Sequence, residues 1–121
     1  MEITERLEII VKALDAKRAE DIKVIKISDL TTLTEYFVIA NGTSTTQTKA
    51  LADEVEYQID TKTNEKPRQV QGAPGGGWVV IDYSDIIVHV FYKEQREFYN
   101  LERLWQDGTE VDISGWITEE A

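Results

Sequence analysis

The side chains that could do chemistry are few. His89 is the only histidine and the chain has no cysteine, so neither a thiolate metal site nor a disulfide framework can be built. A lone histidine inside an apolar run is more often structural than catalytic, and no Ser-His-Asp arrangement can be set up around it. Gly42-Thr-Ser-Thr45 precedes a helical pattern, where backbone N–H groups and the helix dipole can hold a phosphate. Asp82 and Asp85 lie further along and could bind Mg²⁺. Together these groups would suit Mg²⁺-dependent nucleotidyl transfer. However, the acids are spaced Asp-x-x-Asp across a turn, with no third in-sheet carboxylate, and are better suited to closing a hairpin by accepting backbone N–H bonds. Gly72 to Gly77 is glycine-rich but lacks the lysine of a phosphate loop and does not open a helix.

The 121 residues amount to one domain, with 41% hydrophobic residues and no apolar run long enough to span a membrane. The acidic start, Met1-Glu-Ile-Thr-Glu5, has neither signal-peptide nor transit-peptide character, which points to the cytoplasm. There are 23 acids against 13 Lys and Arg, a formal charge of −10. Such a chain repels a phosphate backbone and attracts a basic protein surface, although acidity also serves plain solubility.

The elements that must position these residues follow from periodicity. Ile3, Leu7, Ile10, Val11 and Leu14 predict a helix over 4–18. Ile22 to Ile27 reads as a strand, and the unbroken apolar run Tyr36 to Ala40 as a buried central strand broken by Asn41-Gly42. Ser44 and Gln47 have the spacing of a capping box for a second helix that runs to about Lys62 on a Thr48, Leu51, Ala52, Val55, Ile59 stripe. If the Tyr36 strand and the strand after this helix are parallel, they form a crossover unit. Pro67 to Gln71 is expected as an edge strand, and Trp78–Asp82 and Asp85–Tyr92 as a hairpin. A third helix is expected over 93–104, and part of the acidic tail is expected to dock through Val111, Ile113, Trp116 and Ile117. The sum is an α/β fold with a mixed five-stranded sheet and helices mainly on one face.

Alternation divides the hairpin. Trp78, Val80 and Asp82 share one side of the first strand, opposite Val79, Ile81 and Tyr83. On the second strand, Ile86, Val88 and Val90 form an aliphatic side suited to a helix-covered core. Ile87, His89 and Phe91 form the other side. Trp, His and Phe beside Asp make a composition enriched at protein interfaces, and also one that ordinary core aromatics around a hydrogen-bonded histidine would give.

Several segments together resemble the RsfS/Iojap family. They are Asp15-Ala-Lys-Arg-Ala-Glu-Asp-Ile22, Tyr36-Phe-Val-Ile-Ala-Asn-Gly-Thr-Ser44, Ala52-Asp-Glu-Val55, Trp78-Val-Val-Ile-Asp-Tyr83, Asp85-Ile-Ile-Val-His-Val-Phe91 and Arg96-Glu-Phe-Tyr-Asn-Leu-Glu-Arg-Leu-Trp105. They occur in family order over about residues 3 to 105. The resemblance implies a domain over 1–105 with an acidic extension at 106–121, and a fold akin to a degenerate nucleotidyltransferase. It further implies a non-enzymatic factor, needing no cofactor, that binds ribosomal protein uL14 on the large subunit. The bound factor would block subunit joining when nutrients are scarce, and would be a homodimer when free. Carried over residue by residue, the docking surface comprises Trp78, Asp82, Tyr83 and His89, with Asp85 adding charge and Val80, Phe91, Tyr99 and Leu101 extending it. The alternative function is Mg²⁺-dependent nucleotidyl transfer at the Gly42–Ser44 helix start with Asp82 and Asp85.

Overall fold

The computed structural model describes residues 2–30, 32–72, 77–94 and 107–117. In chain order the elements are α1 (Ile3–Ala16), β1 (Glu20–Lys26), β2 (Tyr36–Gly42), α2 (Thr45–Thr63), β3 (Gln69–Gly72), β4 (Trp78–Asp82), β5 (Ile86–Tyr92) and β6 (Thr109–Glu110). The expected third helix over 93–104 falls almost wholly outside the described residues; its first two, Lys93 and Glu94, are described and helical.

The sheet order is β3-β4-β5-β2-β1-β6. β2 and β5 run parallel, and every other pairing is antiparallel. The parallel partner of β2 is therefore β5, not the β3 strand that directly follows α2. Composition explains the choice. β2 and β5 are nearly continuous apolar runs that need cover on both faces, whereas all four residues of β3 are exposed and belong at an edge. The sheet has six strands rather than five, because Thr109–Glu110 pairs with Ile25 and Lys26 of β1. This addition rests on a close approach: a Cβ at Gly108 would lie 2.7 Å from Ile25 Cγ2 and 2.9 Å from the Lys26 carbonyl. Behind β6 the tail docks as expected, with Ile113 buried and Val111, Trp116 and Ile117 packed against the core.

α1 and α2 both cover one face. Leu7, Ile10, Val11 and Leu14 of α1, and Leu51, Ala52, Val55 and Ile59 of α2, join Val24, Val38, Ala40, Ile81, Val88 and Val90 in the main core. α1 stops two residues before the expected end, because Arg18 turns the chain with a left-handed φ of 64°. Arg6 sits within the apolar stripe of α1, 9% exposed. Its guanidinium grips the Asp85 carboxylate with both terminal nitrogens, one at 2.9 Å, and reaches Glu65 at 3.3 Å. One buried cation thus ties α1 to the β4–β5 turn and to the exit of α2.

The start of α2 is closed on itself. Ser44 Oγ accepts from the Gln47 N–H at 3.0 Å. Gln47 Oε1 accepts from the Thr43 N–H at 2.6 Å and the Thr43 hydroxyl at 2.7 Å. This is the expected capping box, shifted so that the amide serves the residue before the cap. Gly42 does not break β2 but ends it, paired with Tyr92. A Cβ at Gly42 would lie 2.7 Å from Thr48 Oγ1 and 2.8 Å from Thr48 N. Gly42→Ala is therefore expected to cost about 1–3 kcal/mol by overpacking. Gly115→Ala, whose Cβ meets nothing within 4 Å, should be near neutral. Urea unfolding of both variants beside the parent checks this.

Candidate protein interface

The sheet face away from the helices holds a second core cluster: Ile25, Ile27, Phe37, Ile39 and Phe91, with Trp78 and Ile87 packed on it. Register assembles the face row by row. Trp78 pairs with Phe91, Val80 with His89, and Asp82 with Ile87. Across the parallel pair, His89 lies beside Ile39, and Ile87 beside Phe37. None of the described residues of α1 or α2 belongs to this cluster, so alternation divided the hairpin correctly.

The aromatic rings form a platform. Trp78 stacks on Phe91 with centroids 5.2 Å apart and planes 18° off parallel. It also lies 5.9 Å from His89, whose ring meets Phe37 edge-on at 4.8 Å. Trp78 Nε1–H donates to His89 Nδ1 at 3.2 Å. Indole is only a donor, so Nδ1 must be the bare nitrogen and a neutral His89 carries its proton on Nε2. That Nε2 is buried without a hydrogen-bond partner among the described residues. Burial of the ring pulls its pKa down to about 4, so His89 stays neutral at physiological pH.

The expected site residues separate into three groups. Trp78, Val80 and Asp82 are half-buried along β4 and present the accessible strip, next to half-buried Ile87, which had not been proposed as a site residue. His89 at 6% exposure and Phe91 at 0% lie beneath that strip and support Trp78 rather than offering contact area. Tyr83 points the other way. It is buried in the helix-side core, where burial and the carboxylates of Glu56, Glu65 and Asp60 raise its pKa. Asp82 closes the turn as expected, accepting from the Ser84 N–H at 2.7 Å, and pairs with Arg68 at 3.3 Å. Asp85 does not close the turn with its side chain, because its carboxylate is taken by Arg6. Tyr99 and Leu101 lie outside the described residues.

The groups suggested for nucleotidyl transfer do not converge. Asp85 sits where β2 begins, its carbonyl accepting from the Tyr36 N–H, and Gly42 is at the other end of that strand, six residues along. At about 3.3 Å per residue the separation is roughly 20 Å. Among the described residues there is no group of three His, Cys, Asp or Glu side chains able to hold a metal ion.

The family model described as "Ribosomal silencing factor during starvation" (RsfS) matches residues 1–121. The chain belongs to this family. It is 37% identical over 107 residues to "Ribosomal silencing factor RsfS" of Bacillus subtilis, covering 88% of this chain and 90% of that protein. It is 32% identical over 104 residues to the mouse protein "Mitochondrial assembly of ribosomal large subunit protein 1", covering 82% of this chain and 44% of the relative. The crystal structure of protein CV0518 from Chromobacterium violaceum superposes with a TM-score of 0.83 at 29% identity, covering all of this chain and 92% of that one. Among the described residues no helix is long and apolar enough to cross a membrane.

His89 makes folding sensitive to acid. In the unfolded chain imidazole titrates near 6.5, and in the folded protein near 4, so between these values the unfolded state binds more protons. The His89 contribution is complete above about pH 6.5 and is lost as the pH falls toward 4, to a total of about 3 kcal/mol at most. Urea midpoints measured across this window should fall for the parent. The fall should be shallower by about one proton in His89→Phe.

Proposed function

We propose that this RsfS-family chain silences ribosomes by docking the β4 strip on ribosomal protein uL14 of the large subunit. The small subunit must approach at that place, so the bound factor obstructs subunit joining and lowers translation when nutrients are limiting. The observation that carries the reading is Trp78. Its ring is held flat on the buried Phe91 and His89, half-accessible, with Val80 and Ile87 beside it and Asp82 at the end of the strip. A rigid aromatic anchor in an apolar patch with an acid close by suits a basic protein partner. The net charge of −10 favours encounter with such a partner and disfavours direct nucleic-acid binding.

In this reading the domain over 1–105 carries the docking face, with Tyr99 and Leu101 extending it, and 106–121 is an acidic extension. His89 and Phe91 act by holding Trp78, and Asp85 by anchoring the turn to Arg6. The scaffold is nucleotidyltransferase-like but works by occupancy and needs no cofactor. The free protein is a cytoplasmic homodimer.

The test is sedimentation of the purified protein with separated ribosomal subunits. The expected outcome is co-migration with the large subunit and loss of the joined-ribosome peak when small subunits are added. Trp78→Glu should lose this binding by about 2 kcal/mol or more, a factor of roughly thirty, while its circular dichroism stays that of the parent. Unchanged affinity in the folded variant would remove Trp78 from the interface. Absence of any large-subunit binding at low salt would remove the whole reading.

A further inference from the structure

Val70 ends a row that the rest of the sheet buries. Register aligns Val24, Val38, Val88 and Ile81 across β1, β2, β5 and β4, and places Val70 of β3 next in line. The first four are 0% exposed in the helix-side core, whereas Val70 is 45% exposed. Among the described residues β3 has no strand beyond it, and all four of its residues are exposed. Its outward backbone N–H and C=O groups therefore form an open template for another strand. Proteins commonly blunt such an edge with a charged side chain, and Gln69-Val-Gln-Gly72 carries none.

Charge favours this edge for contact between copies. Two chains of net charge −10 repel one another. From Lys66 to Ile81 the sequence contains no acid and two bases, Lys66 and Arg68, which Asp60 and Asp82 neutralise at 2.7 and 3.3 Å. The opposite edge strand, β6, holds Glu110 between Asp107 and Asp112. Of the two edges, β3 is where a second copy meets less repulsion.

We propose that two copies of this chain pair β3 with β3 in antiparallel register about a twofold axis at Val70. Val70 then packs on the partner's Val70, and the aliphatic row runs on across the axis. Gln69 faces the partner's Gln71, and Arg68 faces the partner's Gly72, so no like charges stand opposite. Both open edges gain ladder hydrogen bonds. Pro67 has no N–H and limits the pairing to the strand itself. A twofold contact uses one patch twice and closes at two copies, unlike a head-to-tail contact of β3 with β6. So short a contact is smaller than a standard interface, and association is expected to be weak, with a Kd of about 10 μM or above. The inference rests on the homodimeric state proposed above and supplies its interface; docking through Trp78 does not enter it.

Sedimentation equilibrium of the full chain, from about 10 μM to about 1 mM, tests it. Val70→Lys and Val70→Glu alter an exposed side chain, and parent-like circular dichroism checks their folding. Each variant alone should associate about fivefold or more weakly than the parent, because like charges meet at the axis. Mixed in equal amounts, they should recover to within about threefold of the parent, because Lys then faces Glu. A dimeric parent with either variant associating equally well, or a mixture no tighter than its components, would overturn the edge contact and leave the homodimer standing. A parent that is monomeric throughout overturns both. Loss of large-subunit binding in Val70→Lys would then assign the edge to a strand of that partner.

Discussion

The parallel pairing of β2 with β5 is the constraint on which the rest of the structure depends. Its strands are the most apolar in the chain, and in a parallel pair both faces must be closed. Helices solve half of that problem. On the other face, among the described residues, side chains of the sheet itself pack together: Phe37 from β2, His89 and Phe91 from β5, and Trp78 laid over them from β4. The half-buried aromatic strip is thereby the outer layer of a core. Trp78 is rigid because what lies under it cannot move without opening the centre of the sheet.

The Trp78–His89 hydrogen bond shows how local chemistry serves that constraint. A phenylalanine at position 89 would fill similar space but leave the indole N–H of a half-buried tryptophan without an acceptor. Histidine supplies the acceptor, and its burial keeps it neutral so that Nδ1 remains bare. The ring orientation of Trp78 is thus set by a directional bond as well as by stacking. A hydrogen-bonded anchor presents one surface to a partner rather than several, which limits the entropy lost on docking.

Much of this was legible in the sequence, and the failures have physical causes. Period-two alternation separated Trp78, Val80, Asp82, Ile87, His89 and Phe91 from Val79, Ile81, Tyr83, Ile86, Val88 and Val90, because the β-pleat leaves little choice. Depth was not legible. Which member of the Trp78–Phe91 pair lies on top depends on the path of the chain beyond the strands, and periodicity carries no such information. Tyr83 entered the expected surface through family resemblance, although alternation had already put it on the helix side. Arg6 was missed although a signal existed: it stands inside the apolar stripe, one turn from Ile10. Its partner Asp85 is 79 residues away, too far for any local pattern. β6 left no trace beyond Gly108, since two polar residues do not make a strand pattern.

The helix start at Gly42–Ser44 is where motif and structure part, and the reason is geometric. In a parallel βα unit the glycine before a helix can open room for a phosphate, and the same glycine can instead let the helix pack hard against the end of its strand. Here the second use prevails. The space a side chain would need at position 42 is filled by Thr48. Gln47 lies across the start of the helix, its oxygen taken by Thr43 and its NH₂ donating to the carbonyls of Lys17 and Arg18 at 3.2 and 3.4 Å. The residues that look like a cradle therefore join α2 to the turn after α1, which keeps the two helices on one face of the sheet. Among the described residues the aromatic face is then built by the strands, so a motif that suggests catalysis in the sequence instead helps fix the sheet whose far side carries the aromatic platform.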